Sequence, residues 1–267
     1  MEFIKNTAQF EKMIDNKIIG MPELINSKIN FRGKNNILIC DNNIKIENAI
    51  LNFNGDNSIV YLGSNLTNGF KLVVYNNSTG FIGKYVKIGF SATLKIFESQ
   101  NIIIGDDCFI GDNVYISNSD GFPIYNNDTK ERINFSNSIY IGDHVFLGNN
   151  VYISKSCKVG SGSIIDHNSF IPSYAKIPSN CYLSGNPVKI IKSDVFFTKE
   201  FTSPFKNEDS LNSRYYKSDV FIFKVVEGET LSMADIDNVL NELDVESKHD
   251  FIHKLFIRNK RKNRFAI

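Results

Sequence analysis

The side chains best suited to acid–base chemistry are few, because the chain of 267 residues contains only four histidines. His144 and His167 lie in its central part, and His249 and His253 lie near its end. A neutral imidazole can accept a proton near neutral pH and can also bind a metal ion. The carboxyl group of Asp120, with an ordinary pKa of about 3.9, is a weaker base unless burial raises that pKa.

A six-residue repeat predicts the elements that position these side chains. From Ile104 to Tyr182 an aliphatic residue opens each unit and a small or turn residue follows it. Helices repeat their apolar face near 3.6 residues and strands near 2, so this period predicts short strands joined by tight corners. Three units make a triangular coil of about 18 residues, and roughly eight coils stack about 4.8 Å apart. The predicted fold class is an all-β solenoid.

Departures from the repeat divide residues 1–192 into a cap, a solenoid and a loop that interrupts the solenoid. Residues 1–36 are predicted to form an N-terminal cap with a short helix around 7–16, because the end of a solenoid core must be covered. Residues 37–192 are predicted to form the solenoid, with a looser register in the early coils. An excursion loop at 117–138 leaves the register, and we expect functional residues there.

The C-terminal part, residues 193–267, lacks the repeat. It is predicted to contain a linker, a strand at 220–226 and helices near 233–243 and 246–259. The basic segment 260–264 could contact an anionic membrane or polymer, or could be a frayed end or a contact between subunits.

Composition narrows the class of protein. Lys and Arg total 30 against 29 Asp and Glu, so the charge balance does not predict a nucleic-acid partner. Because 42% of residues are hydrophobic, a large core is predicted. There is no signal-peptide pattern and no apolar run near ~18 residues, which predicts a cytoplasmic protein. The four cysteines lack metal-ligand spacing and are predicted to be packed free thiols, at Cys40, Cys108, Cys157 and Cys181.

No metal site is predicted among the histidines. His249 and His253 have the spacing of neighbours on one helix face, but no third ligand is nearby. His144 and His167 are 23 residues apart, so in a coil of about 18 residues they should lie at different corners.

Three segments beyond the bare repeat resemble one known family. They are Ser119–Asn126 with Arg132–Asn134 after it, Ile141–Gly148, and Leu183–Ile191. The chain resembles the hexapeptide-repeat acyltransferases, and its pattern is most similar to capsule and lipopolysaccharide O-acetyltransferases. The resemblance implies a left-handed parallel β-helix with an N-terminal cap and an α-helical C-terminal extension, and a homotrimer.

The resemblance also implies a reaction, in which acetyl-CoA is the co-substrate and a hydroxyl or amine is acylated. The family uses a histidine of the excursion loop as general base, and Phe122 occupies that position here. His144 could replace it or be structural. Asp120 could replace it or stabilise a turn.

Further site residues follow from the resemblance. Phe146 stands where the family has a tryptophan beside the acyl donor, and His167 stands where small residues are common. Lys189 and Lys192 could meet the phosphates of coenzyme A. The implied donor-binding residues are Phe146, His167, Gly185, Asn186, Lys189 and Lys192, and the implied substrate-loop residues are Phe122, Tyr125 and Arg132.

Two functions from different classes remain open on the sequence. The first is an O-acetyltransferase, diverged at the general-base position, acting on a surface-polysaccharide sugar or a nucleotide sugar. The second is a non-catalytic binding or scaffolding module, or a different transferase of polysaccharide biosynthesis on the same fold.

Overall fold

The computed structural model describes residues 1–42, 44–64 and 69–267, and shows a left-handed parallel β-helix with three faces. The chain visits face 1, face 2 and face 3 in turn. Face 1 contains the strands Glu2–Ile4, Lys28–Phe31, Ile50–Phe53, Lys71–Val74, Thr93–Ile96, Tyr115–Ser117, Tyr152–Ile153 and Phe170–Ile171. Face 2 contains Lys17–Ile19, Ile37–Cys40, Ile59–Leu62, Thr79–Ile82, Asn101–Ile104, Ile139–Ile141, Lys158–Val159 and Lys176–Ile177.

Face 3 closes the triangle. Its six strands are Lys87–Ile88, Phe109–Ile110, Phe146–Leu147, Ile164–Ile165, Tyr182–Gly185 and Val188–Lys192. Nearer the start of the chain, Glu23–Ile25 and Lys45–Glu47 pair as a separate two-stranded sheet. The described strand pairs are parallel except at the two ends, where Glu2–Ile4 and Val188–Lys192 pair antiparallel with their neighbours.

Coil length changes along the prism. In the late coils, equivalent residues such as Asn150 and Asn168 are 18 apart, as the repeat predicts. In the early coils Asn35 and Asn57 are 22 apart. The early strands have four residues and place two side chains in the core, whereas the late strands have two residues and place one there. This difference explains why the six-residue register is loose before the excursion loop.

The corners are joined by ladders of polar side chains. The backbone N–H of Lys84 donates to Asp106 of the next coil at 2.8 Å, and that of Asp112 donates to Asn149 at 2.9 Å. Asn113 and Asn150 have left-handed backbone angles, with φ of 56° and 59°. Asparagine tolerates this conformation better than β-branched residues do, which is why it recurs at the turns.

The N-terminal segment differs from its prediction. The predicted helix at 7–16 is a short 3₁₀ helix, Thr7–Lys12. The strand Lys17–Ile19 already pairs in parallel with Ile37–Cys40. Parallel coils therefore begin inside the segment 1–36 that was predicted to be a cap.

The C-terminal helices cover face 2. They are Met233–Glu242 and Val245–Ile252, continued by a π-helical turn, His253–Ile257, and a further short helix spans Asn207–Asn212. Their buried residues pack on the outward side chains of face 2, which are apolar for that reason. The hydroxyl of Tyr140 donates to Asp237 at 2.6 Å and fixes the first of these helices.

Residues 220–226, all within the described part of the chain, form no strand, so that prediction is wrong. The backbone N–H of Phe223 donates to the Asn180 side-chain oxygen at 2.7 Å, and the Asn180 amide donates to the carbonyl of Phe221 at 2.9 Å. The segment alternates because one side packs on a corner of the prism. Side chains, including those of Asn180 and Asn263, provide hydrogen bonds to the segment in place of a neighbouring strand.

The basic segment 260–264 is fastened to the prism. Arg264 is buried and donates to Asp143 at 2.7 Å and to Asp106 at 2.9 Å. Lys262 donates to the carbonyl of Asp219 at 2.6 Å. The predicted frayed end is wrong, and two of the charges expected to reach an anionic membrane are already paired within the chain.

The four cysteines are free and buried, as predicted. Within the described ranges, no helix has the length and apolar character needed to cross a membrane.

Candidate functional site

An aromatic column runs along the outside of face 3. Parallel pairing places Phe109 beside Phe146, Phe146 beside Ile164, and Ile164 beside Tyr182. The final strand adds Lys192 beside Tyr182. The Phe109 and Phe146 rings stack with centroids 5.0 Å apart. The column is an apolar track that ends in a cation.

A segment that we call the strap, residues 193–202, crosses part of this face. It encloses a cavity of about 280 Å³ whose apolar wall includes Phe109, Phe146, Phe197 and Phe201. Lys199 of the strap pairs with Asp107 at 2.5 Å. These contacts hold the strap over the corner between faces 2 and 3. We call the outer surface of face 3, from this cavity to Lys192, the cleft.

His144 lies beneath the strap, at the corner between faces 2 and 3. Its ring is 2% exposed and stacks between Phe197 and Phe221, with centroid distances of 4.0 and 4.2 Å. Its Nε2 lies 2.9 Å from the Phe197 carbonyl and therefore donates to it, while Nδ1 lies 3.4 Å from Asp107. The sequence left two roles open for His144, a base that replaces the loop histidine or a structural residue. In the structure the ring is buried under the strap, where it borders the cavity, and it does not face the arm.

The excursion loop predicted at 117–138 begins at residue 118, because Ser117 ends a strand. Residues 118–138 are here called the arm, and Asp120 is held at its base. Asp120 accepts hydrogen bonds from Lys155 at 2.5 Å and from Asn134 at 2.8 Å. Burial raises the pKa of Asp120, but Lys155 and Asn134 together lower it further, and it lies below its ordinary value. Asp120 is therefore ionised at neutral pH and is a weak base.

A second ion pair fixes the other end of the arm. Arg132 donates two hydrogen bonds to Glu98, at 2.7 and 2.9 Å, and the Ser136 hydroxyl donates to the same carboxylate at 2.5 Å. Arg132 and then Ser136 lower the pKa of Glu98 to about 2. Arg132, predicted to contact substrate, has its guanidinium engaged within the chain. Phe122 and Tyr125 remain exposed, at 64% and 56%.

His167 occupies the corner between faces 3 and 1 and is exposed. Its Nδ1 accepts the backbone N–H of Asn149 at 2.8 Å. Its ring meets the edge of Phe146 at 6.2 Å and 80°. His144 and His167 lie at different corners of the prism, with Phe146 on the face between them.

The remaining predicted donor-binding residues lie at the end of face 3. Gly185 ends the strand Tyr182–Gly185 and Asn186 begins the turn that follows it, and the Gly185 N–H donates to Ser169 at 3.2 Å. Lys189 and Lys192 lie on the final strand and are exposed. The structure thus brings Phe146, His167 and the lysines to one side of the prism.

The arm lies elsewhere. It leaves the prism between faces 1 and 2, so Asp120 and Phe122 are on a different edge from the cleft. Within one chain the two predicted bases, His144 and Asp120, are not brought together. No cluster of three or more His, Cys, Asp or Glu side chains that could hold a metal occurs in the parts of the chain that are described.

Several contacts of the site were not predicted. The strap phenylalanines Phe197 and Phe201 and the pair Glu98–Arg132 were missed. One signal was available, because the segment 193–223 is too rich in phenylalanine for a solvated linker. No local signal marks Glu98 as the partner of Arg132, which is 34 residues away.

Comparisons with known proteins agree with this architecture. Residues 138–173 match the family model for bacterial transferase hexapeptide (six repeats), and residues 101–127 match that for the hexapeptide repeat of succinyl-transferase. The chain is 34% identical over 145 residues to a polysialic acid O-acetyltransferase of Escherichia coli O1:K1 / APEC, covering 54% of this chain. It spans 46% of the length of that relative.

Solved structures extend the match. The crystal structure of the polySia specific acetyltransferase NeuO superposes with a TM-score of 0.66 at 32% identity, covering 74% of this chain and 93% of that one. The polysialic acid O-acetyltransferase OatWY shares the fold, with a TM-score of 0.60 at 23% identity over 75% of this chain and 99% of that one. With the repeats, the arm and these matches together, the chain belongs to the hexapeptide-repeat acyltransferase family.

Proposed function

We propose that this protein is an acetyl-CoA-dependent O-acetyltransferase that acts on a polysaccharide. The observation that carries the proposal is its 32% identity to the polySia specific acetyltransferase NeuO across 93% of that chain, a match that includes more than the repeats. A cytoplasmic location, where acetyl-CoA is made, belongs to the same proposal.

The cleft on face 3 has the chemistry that the acyl donor needs. From Phe146 to Lys192 the column crosses three strand spacings, or about 14 Å, which is comparable to the length of a pantetheine arm. We propose that the acetyl group lies beside Phe146 and that the pantetheine arm follows Ile164 and Tyr182. Lys189 and Lys192 would then meet the phosphates as charge-assisted donors.

The acceptor sugar is proposed to bind at the arm. Phe122 and Tyr125 present exposed aromatic rings, on which a sugar ring can stack. Because the arm and the cleft lie on different edges of one prism, we propose that the arm of a second copy completes each site. A homotrimer with three equivalent sites satisfies this requirement with one repeated interface.

The fate of the hydroxyl proton distinguishes this chain from its family. Phe122 cannot accept a proton, and His144 has its Nε2 committed to the Phe197 carbonyl. Asp120 is an ionised group linked to Phe122, since the Asn134 amide donates both to its carboxylate and to the Phe122 carbonyl. We propose that Asp120 assists as a weak base and that orientation of the two substrates provides most of the rate enhancement.

The structure also gives one reason to keep a second candidate, a non-catalytic polysaccharide-binding module. The arm has no imidazole, and the enclosed His144 cannot replace it. This module would bind the acceptor and release no coenzyme A thiol.

The test is calorimetric titration with acetyl-CoA, followed by measurement of thiol release with polysialic acid and other acidic polysaccharides. We expect binding, and turnover with at least one acceptor. Lys192→Ala should weaken acetyl-CoA binding by about 10-fold, the value of one charged hydrogen bond. Lys176→Ala removes an equally exposed lysine from face 2 and should change nothing. Absence of acetyl-CoA binding at millimolar concentration would contradict the proposal, whereas acceptor binding without turnover would favour the module.

A further inference from the structure

We propose that His167 is a catalytic residue whose Nε2–H donates a hydrogen bond to the thioester carbonyl oxygen as negative charge develops there. This role rests on the proposed acetyl transfer, and deepens it by naming the group that stabilises the transition state. It follows from three features of the imidazole: its tautomer, its position and its free nitrogen.

The tautomer is fixed by the corner ladder. The backbone N–H of Asn149 points at Nδ1 of His167 from 2.8 Å. A donor facing Nδ1 requires a lone pair on that nitrogen, so the neutral ring carries its hydrogen on Nε2. The ring is therefore a hydrogen-bond donor at its outer nitrogen. It cannot act there as a base, because Nε2 has no lone pair available in this tautomer.

Contacts of the neighbouring Asp166 and of Phe146 help to hold the His167 ring in position. The His167 backbone N–H donates to Asp166 Oδ1 at 2.8 Å. Tyr182 and Ser184 donate to Asp166 Oδ2, at 2.8 and 3.2 Å. The ring also makes a T-shaped contact with Phe146, the residue placed beside the acetyl group. A donor held in place before substrate binds needs little reorganisation during the reaction.

The outer nitrogen has no competing partner. Across residues 1–42, 44–64 and 69–267, Nε2 of His167 makes no hydrogen bond, whereas Nε2 of His144 is bound to a carbonyl. His249 and His253 belong to the helix over face 2. His167 is thus the histidine that combines an open nitrogen with a place beside the cleft.

In the proposed step the imidazole donates a hydrogen bond and takes up no proton. The sugar hydroxyl oxygen forms a bond to the thioester carbon, and the electron pair of the C=O bond moves to the carbonyl oxygen, which accepts the hydrogen bond from Nε2. The carbonyl reforms as the C–S bond breaks. The coenzyme A thiolate leaves, and the hydroxyl proton ends on the sulfur, carried by the weak base or by water.

The test compares His167→Asn with His167→Ala. Asparagine keeps the ladder, because Asn149 itself accepts the Asp112 N–H in this way one coil below. However, its shorter side chain cannot place a donor where Nε2 lies. We expect both variants to lose about 10- to 100-fold in kcat with an unchanged KM for acetyl-CoA. This is less than the roughly 10²- to 10³-fold loss for a donor in a water-excluded oxyanion hole, because the His167 ring is exposed. His253→Asn, on the distant helix, should retain wild-type turnover.

Two spectroscopic readouts separate this role from a structural one. In ¹⁵N NMR of the protein with labelled histidine, the signal that disappears in His167→Asn is assigned to His167. The chemical shifts of this signal should be those of the Nε2–H tautomer. With acetyl-CoA labelled with ¹³C at the carbonyl, the infrared band should shift to lower frequency on binding to the wild type but not to His167→Asn.

The outcomes are distinguishable. If the wild type turns over and His167→Asn matches it, the inference is wrong while the proposed function stands. An Nδ1–H tautomer, or a band shift unchanged in His167→Asn, also overturns it. If the wild type neither binds nor uses acetyl-CoA, the proposed function fails and this role fails with it.

Discussion

The two corners that flank face 3 have the same kind of hydrogen-bond ladder between coils, but different segments of the chain cover them. At the closed corner, between faces 2 and 3, Asp143 and His144 are buried under the strap and the C-terminal segment. At the open corner, between faces 3 and 1, Asn149 and His167 reach solvent. One histidine is a packing residue and the other has a free nitrogen. The solenoid therefore does not decide the role of a corner histidine; the segments laid over it do.

The difference also locates the site. A corner covered by aromatic rings and a buried ion pair can anchor the C-terminal extension, and its side chains are shielded from bulk solvent. The open corner has the cleft on one side and exposed face 1 on the other. A change in the path of the C-terminal extension can thus change which corner is open to a substrate, while the repeat stays the same.

Loss of the buried ion pair should have the largest effect on the closed corner. Arg264→Met leaves Asp143 and Asp106 facing each other without a cation and should cost about 3–5 kcal/mol in the free energy of unfolding. Urea unfolding measures this, with the exposed Arg258→Met as control. Equal losses in the two variants would show that the ion pair does not hold the extension.

His144→Ala should come next. It removes a buried ring from between Phe197 and Phe221 and leaves the Phe197 carbonyl without its donor, at a cost of about 2–4 kcal/mol. Turnover per folded molecule should change only a few-fold. His144→Phe, which keeps the stacking, should recover most of the stability. A severe loss of kcat in a fully stable His144→Phe variant would restore His144 as the base.

Phe122→His would add a base to the arm. If the rest of the site is intact, kcat should rise by about 10- to 100-fold, because an imidazole can take the hydroxyl proton near neutral pH. Phe122→Leu is the matched control without a base and should show no gain. The measurement is thiol release across pH. No increase would mean that the arm does not approach the open corner in the assembled protein.

Lys248→Met should give the smallest effect, on the helix that covers face 2. Burial lowers the pKa of Lys248 from 10.5 to about 8, and its ammonium donates to the Asn77 carbonyl, at 2.6 Å. The folded protein holds this proton less tightly than the unfolded chain, so stability should rise between about pH 8 and 10.5.

Removing the charge should therefore stabilise the protein by about 1–2 kcal/mol at pH 7, with a gain that shrinks as pH approaches 10. Thermal unfolding at several pH values measures it, and the exposed Lys254→Met is the control. A constant gain at all pH values would contradict the assigned titration.

The repeat predicted the part of the fold that local backbone geometry determines. Each hexad contains its own strand and corner, so the late coils and the excursion at 117–138 could be found by periodicity alone. The early coils, with 22 residues and two inward side chains per strand, blur that period. For this reason the first parallel strand, Lys17–Ile19, was assigned to a cap.

The surroundings of the site could not be predicted in the same way. Arg264 and Asp143 are 121 residues apart, and His144 and Phe197 are 53 apart. Tertiary packing determines which face a non-repeating segment covers. Periodicity in a single sequence predicts local elements and does not predict that packing. The sequence therefore leaves His144 open between a base and a structural residue, and it predicts His167 only as a donor-binding residue.

The two ion pairs of the arm have a consequence for cooperativity. In a solenoid each coil is stabilised mainly by its neighbours, and a long insertion weakens the coupling where it interrupts the stack. Glu98 belongs to the coil before the insertion and Lys155 to the coil after it, and the arm binds both. The arm thus bridges the discontinuity that it creates. Unfolding should propagate through this point as one transition, and not divide the protein into two halves.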